Sequence, residues 1–178
     1  AGGRGGEARR YIAEKRGLKR ETVERFRIGY APASKSALKD HLGQRGFTVA
    51  EMIAAGLLIS GEDIPTPYDR FRNRVMFPIL DLKGRTIAFG GRALETADGH
   101  TPKYLNSPET PLFHKGHILF NAFHARSPAH DKDRIIAVEG YMDVVALTEG
   151  GFPEAVAPLG TALTEDQVKL LWRMVSEP

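Results

Sequence analysis

Four apolar residues, Ile135-Ile136-Ala137-Val138, run directly into Glu139, and Gly140 and Asp143 follow within RIIAVEGYMDVVAL. A short apolar run of this kind suits a buried parallel strand. Open α/β sheets bind ligands beyond the carboxyl ends of such strands. Glycine at the next position admits a tight turn, and Asp143 falls in the first turn of the helix expected over 141–149. Two hard oxygen donors at a strand mouth suit Mg²⁺. They equally suit the positive end of a helix dipole with no metal present. Spacing alone leaves both readings open.

A second set of candidates is cationic. Lys103 in PKY and Lys115 in FHKG stand in a long, mostly irregular stretch, 95–117. A loop of that length inside a compact domain is often functional, and lysine holds phosphate as a point charge; plain solvation is the alternative. Asn106 and Ser107 either shape a nucleotide site or close a turn on their own backbone. Arg70, Arg72 and Arg74 alternate in DRFRNR. In an extended chain they share one face, a guanidinium strip matched to a phosphate backbone or the charged rim of a sheet edge. Arg92 follows Gly90-Gly91, where a ligand can approach the backbone, and Arg25 sits in a helical stretch. Tyr104 and Phe113 lie among these cations and either stack on unpaired bases or pack under the loop.

Bulk properties bound the partners. The chain has 178 residues, 42% of them apolar, and a net charge of +3. Within residues 1–30, nine Lys and Arg stand against four Asp and Glu, an imbalance that suits a polyanionic partner or a solvated helix face. The absence of cysteine excludes disulfides and cysteine metal ligands within the chain. His114 and His117 are three apart with no third ligand in pattern, so zinc is not expected. No apolar stretch is long enough to span a bilayer, and a soluble, cytoplasmic protein without a membrane partner is the expectation.

The elements that position these residues are legible in part. Residues 1–6 read as a linker or boundary. Helices are expected over 7–16, 20–26 and 36–45, with a fourth opened by Thr48 and Glu51 in capping-box spacing and ended by Gly56. RVMFPILD and RTIAFGGR flank Lys83-Gly84 as a hairpin, and Pro78 suggests an edge or a bulge. Strand 135–138, helix 141–149, strand 155–158 and helix 165–175, the last opened by Thr164 and Gln167, form the start of an α/β unit. Leu171 and Trp172 read as core. The expected fold is α/β, mixed α+β: a small basic helical subdomain with a β-hairpin region, then a partial Rossmann-like unit.

VEGYMDVVAL resembles the first signature of the TOPRIM domain, and its EGYMDV wording is similar to that of bacterial replicative primases of the DnaG type. RFRIGYAP, RFRNRVMFPI, IAFGGR, TPKYLNSPET and LFHKG occur in the order found in that family's RNA polymerase core. The resemblance implies a basic N-terminal subdomain over 7–128, helical over 7–56 and β-rich over 57–128, followed by the first part of TOPRIM over 129–178. It implies that Glu139 coordinates metal or accepts the proton of the attacking 3′-hydroxyl, with Asp143 as a second catalytic acid. The metal implied for the parent enzyme is Mg²⁺ or Mn²⁺.

Arg25, Arg70, Arg72, Arg74, Arg92, Lys103, Asn106 and Lys115 are then the expected nucleic-acid and nucleotide contacts. The implied partners are single-stranded DNA template, RNA–DNA hybrid and ribonucleoside triphosphates, with a replicative helicase bound through a C-terminal domain outside this sequence. In the family a second acidic motif, of Asp-x-Asp type, follows the next TOPRIM strand, a position past Pro178, so the chain as given is expected to lack most of the metal site and to be inactive by itself. Two other readings stay open: another TOPRIM enzyme, such as a topoisomerase or nuclease, and a non-catalytic single-strand-binding module.

Overall fold

The computed structural model describes residues 4–94, 101–160 and 162–176. The chain divides into two compact units. The first takes Ala1–Gly17, Ile28–Phe77 and Ala88–Leu112, and the second takes Leu18–Arg27, Pro78–Ile87 and Phe113–Pro178. Both mix helix and sheet. Element numbers below follow chain order.

In the first unit, helix α1 (Arg4–Arg10) continues into a π-helical turn, Tyr11–Lys15. It begins inside the glycine-rich stretch expected to be a linker, and Ala8 and Ile12 are the residues it buries. Helix α3 (Ala37–Gln44) lies within one residue of its expected span, and α4 (Val49–Ala54) stops two residues before Gly56. The expected capping box at α4 is formed: Thr48 Oγ1 accepts from Glu51 N at 3.2 Å while the Glu51 carboxylate accepts from Thr48 N at 2.7 Å. At α3 a buried acid from elsewhere in the sequence takes that role, as Asp69 accepts from Leu38 N at 2.7 Å and Lys39 N at 3.0 Å. Strands β2 (Leu58–Ile59) and β3 (Tyr68–Asp69), the latter carrying Asp69, pair antiparallel.

The main sheet has the order β1-β4-β5-β6, from β1 (Gly29–Ala31), β4 (Arg74–Leu80), β5 (Thr86–Ala93) and β6 (Tyr104–Asn106). Strands β4 and β5 form the expected hairpin. Asp81 organises its turn by accepting from Lys83 N and Arg85 N, both at 2.9 Å, and Gly84 supplies the positive φ of 79°. Pro78 lies on β4, which stands between β1 and β5 in the sheet order, but at a point past the β1 pairing, an edge position as expected. It is tolerated because the register with β1 ends at Met76, two residues earlier, so no β1 ladder bond requires its missing N–H.

In the second unit, helix α2 (Arg20–Arg25) is followed by Phe26, which stacks on Phe120 at 6.0 Å; Tyr141 meets Phe120 edge-on at 4.7 Å. Helix α5 (Ala122–Lys132), strand β7 (Ile136–Ala137), helix α6 (Tyr141–Glu149), strand β8 (Ala155–Val156) and helix α7 (Glu165–Leu171) complete the chain. Strands β7 and β8 are parallel, as the strand–helix–strand pattern requires. The core joins Leu119, Ala125, Ala129, Val156, Leu171 and Met174. Trp172, expected in that core, is 57% exposed. Helix α7 ends at Leu171, four residues earlier than expected, and Met174 and Val175 occupy the core instead. No helix among the described residues is long and apolar enough to cross a membrane.

Gln167 links α7 to the 3₁₀ turn Lys115–His117. It is fully buried, completes the expected capping box with Thr164, and donates its amide to the carbonyls of Lys115 at 2.9 Å and Ile118 at 2.8 Å. Gln167→Ala leaves both carbonyls without that donor. The expected cost is about 2 kcal/mol, at roughly one for each hydrogen bond lost, measured as a loss of unfolding free energy in urea.

Candidate nucleic-acid interface and acidic site

Glu139 stands where the sequence places it, past the end of β7 and next after Val138. The ladder reaches Val138, whose N–H donates to Val156 O at 2.9 Å, and there it stops. Gly140 is the N-cap of α6, with φ −142° and ψ 167°. That backbone is open to any residue; what glycine supplies is room. A Cβ on Gly140 would lie 3.3 Å from Asp143 Oδ2. The Asp143 carboxylate therefore folds back over the helix start, on the positive end of the dipole. Both acids are solvent-exposed. They are hard oxygen donors of the kind that hold Mg²⁺ or Mn²⁺. Among the described residues, however, no group of three His, Asp or Glu side chains is gathered as for a metal ion. Two carboxylates make part of a coordination shell and not a whole one.

The cations are arranged differently from a strip. Register pairs Arg92 on β5 with Tyr104 on β6, and Lys103 immediately precedes that pair. Arg92 is buried as a residue, 8% exposed, and its guanidinium lies 4.8 Å from the Tyr11 ring centre and 5.8 Å from that of Tyr104. Among the described residues its Nε has no hydrogen-bond partner. Arg92 and Lys103 share a cleft of about 450 Å³ with Tyr11, Lys15 and Arg16. The lining holds four cations and no acid among the described residues. Cation–π contact with two rings stabilises a guanidinium that burial otherwise penalises. Of the two aromatics flagged in the sequence, Tyr104 is 37% exposed beside these cations, while Phe113 is wholly core.

Arg70, Arg72 and Arg74 do not share one solvent face. Alternation needs a continuous extended strand, and Asn73 breaks it with a left-handed φ of 51°. Each guanidinium instead binds backbone. Arg70 donates to Asn106 O through Nε at 3.2 Å and Nη2 at 3.0 Å. Arg74, almost fully buried, donates to Pro102 O at 2.9 Å and Gly91 O at 3.3 Å. Arg72 donates to Asp69 O at 2.5 Å and lies over the Tyr68 ring. Burial lowers the Arg70 pKa, and burial together with the Arg72 charge lowers that of Arg74. Arg70 and Arg74 thus clamp both ends of the segment 102–106 that carries Lys103 and Tyr104. Gly91 serves the same clamp: a Cβ there would meet Phe71 at 2.9 Å and Arg74 at 3.0 Å, so the space expected for a ligand is filled by the protein's own side chains. Asn106 contributes its carbonyl to this arrangement.

Lys115 and Arg25 belong to the second unit and are not part of the four-cation cleft. Lys115 opens the 3₁₀ turn anchored by Gln167. Arg25 lines a narrow crevice with Arg27, Asn121 and His124, and His124 is pulled below its usual pKa by burial first and by Arg25 second. Tyr11, Lys15 and Arg16 were not recognised from sequence as site residues. Their one signal was the basic excess of the first 30 residues.

The second unit contains a buried ion cluster. Glu154, fully buried, accepts from Lys132 at 2.9 Å and from Arg134 and leads into β8. Burial pushes its pKa up, but the Arg134 and Lys132 hydrogen bonds outweigh that and hold it at about 2. The folded value lies below the unfolded one, so this stabilisation is complete above pH 4.5 and is lost as pH falls towards 2. Glu154→Gln is expected to flatten that acid limb and to cost about 1–3 kcal/mol at neutral pH, because its half-exposed partners can return to water. Urea titrations at stepped pH measure both effects.

The family model described as DNA primase catalytic core, N-terminal domain, matches residues 2–126, and the Toprim domain model matches 133–177. The DNA primase of Pseudomonas aeruginosa is 51% identical over 160 residues, covering 90% of this chain and 24% of that protein. Among solved structures, the Escherichia coli primase catalytic core superposes with a TM-score of 0.87 at 45% identity, covering 99% of this chain and 55% of the other. The DnaG primase catalytic domain bound to single-stranded DNA superposes at 0.83 with 46% identity, covering 96% and 51%. The chain thus spans about a quarter of the curated relative and about half of each solved core.

Proposed function

The chain belongs to the DNA primase family, and from that premise we propose that it forms the N-terminal subdomain and the start of the Toprim domain of an enzyme that makes short RNA primers on single-stranded DNA. The subdomain is assigned to 7–128 and the Toprim start to 129–178. Ribonucleoside triphosphates are the substrates, the replication fork in the cytoplasm is the place of work, and a replicative helicase is the partner of the whole protein. Primer synthesis joins a 3′-hydroxyl to an α-phosphorus with loss of pyrophosphate. Metal ions supply activation of the attacking oxygen and neutralisation of the leaving group. Glu139 would coordinate such an ion, Mg²⁺ or Mn²⁺, with Asp143 beside it and further acids from outside this chain.

Arg92 and Lys103 hold phosphates of template or nucleotide. Arg70 and Arg74 keep their place in the interface by positioning the segment that carries Lys103. Asn106 takes part through the same segment. Arg72, Arg25 and Lys115 remain proposed phosphate contacts on exposed or half-exposed positions.

One observation carries this reading: a cleft of ligand size holds four cations and no acid among the described residues. Fluorescence anisotropy of labelled single-stranded and duplex DNA across a salt series tests it. The expectation is preference for the single strand, with affinity falling steeply as salt rises. Absence of binding at low salt, in a sample that melts cooperatively by circular dichroism, overturns it.

A further inference from the structure

Building on the phosphate reading of the cleft, we infer that the N-terminal helix is its second wall: Tyr11 is a positioning residue for Arg92, and Lys15 and Arg16 are further phosphate contacts. The geometry begins with the π-helical turn. Arg16 N donates to Tyr11 O at 3.2 Å, a bond across five residues. In an ordinary α-helix, residues five apart point about 140° away from each other at 3.6 residues per turn. The wider turn brings them onto one side. Arg16 Nε then donates to the Tyr11 hydroxyl at 2.7 Å, and the Arg16 guanidinium lies 5.4 Å from the ring centre. The Arg92 guanidinium lies 4.8 Å from the same centre. π-turns are rare and occur frequently at functional sites.

Two guanidinium groups on one ring, with Lys15 and Lys103 in the same cleft, form an arrangement that repels itself. No ion pair among the described residues involves any of the four. Among the described residues the buried Arg92 Nε has no partner either. An arrangement of this kind is completed by an anion with several charges in a row. The matching chemistry is a run of phosphates, either a phosphodiester backbone or a free triphosphate. Tyr11 fixes the Arg92 guanidinium on one face and Arg16 through its hydroxyl, so both present donors without searching rotamers.

The test is displacement of labelled single-stranded DNA from the 178-residue chain, by unlabelled DNA and by inorganic tripolyphosphate. Tyr11→Leu should weaken DNA binding about tenfold, and Tyr11→Phe, which keeps the ring and loses the hydroxyl, about two- to threefold. Lys15→Gln and Arg16→Gln should each reduce the slope of log affinity against log salt by about 0.7, one phosphate's worth on a single strand. Displacement by tripolyphosphate assigns the cleft to triphosphates, and displacement by DNA alone assigns it to the backbone; both support the inference. Wild-type affinity in Tyr11→Leu, alongside weakened binding in an Arg92→Ala/Lys103→Ala reference, overturns the role of Tyr11. If the reference itself binds normally, the reading of the whole cleft has failed. Should Tyr11→Leu not fold, the exposed Lys15 and Arg16 variants decide the matter: unchanged slopes in both contradict a second wall.

Discussion

Glu139→Gln in the full-length protein is expected to reduce primer synthesis by about a thousandfold or more while leaving single-stranded DNA affinity within twofold. The substitution keeps the size and polarity of the side chain and removes the charge. A metal-bound carboxylate acts where charge develops in the transition state, and one such interaction lost from a preorganised site costs about a hundred- to a thousandfold. Loss of the ion itself removes more. Glu139 is exposed just past the last ladder bond of β7, so the substitution leaves the core untouched and the melting temperature should stay near that of the wild type. Primer yield on a single-stranded template, with anisotropy and melting on the same preparations, separates catalysis from binding and from folding. Asp143→Asn should follow the same pattern with a smaller loss, because its carboxylate already interacts with the helix start.

Arg92→Ala combined with Lys103→Ala is expected to weaken single-strand binding about a hundredfold at low salt. Each residue is assigned one phosphate at about 1.4 kcal/mol, or tenfold, and the salt slope should flatten by about 1.4. Lys103 is exposed, so Lys103→Ala alone should lower affinity without lowering stability. Arg92 is buried between two rings, and its removal should also lower the melting temperature. Arg70→Ala gives a different signature. Its guanidinium binds a backbone carbonyl at Asn106, so the expected effect is a looser 102–106 segment and weaker binding with an unchanged salt slope. Anisotropy titrations at four or five salt concentrations distinguish a lost phosphate contact from a displaced one.

Those contrasts follow from what the sequence did and did not make legible. The two capping boxes were readable because Thr48 with Glu51, and Thr164 with Gln167, satisfy helix-start donors through residues three apart. The parallel β7–β8 pair was readable because a strand, a helix of nine residues and a second short strand leave one economical topology. Glu139 was readable for the same reason, since a carboxylate that ends an apolar strand needs no tertiary information to be placed. The arginine strip failed on one dihedral: nothing in DRFRNR announces that Asn73 turns left-handed. Trp172 failed because the helix stops at Leu171 and the chain turns, which brings Met174 and Val175 inward.

The other half of the cation cleft was hidden by periodicity. A 3.6-residue repeat separates Tyr11 from Arg16, and the π-turn unites them. Asp69 capping a helix some thirty residues earlier is likewise a tertiary event. The sequence could name which side chains carry charge, but not which of those charges the backbone would claim.

The most direct measurement is RNA synthesis by the full-length protein on a single-stranded DNA template, with ribonucleoside triphosphates and graded Mg²⁺, alongside a supercoiled plasmid. The account predicts short RNA products that require the divalent ion and no change in plasmid supercoiling. Relaxation or cleavage of the plasmid without RNA synthesis would contradict it and return the acidic site to another kind of Toprim enzyme.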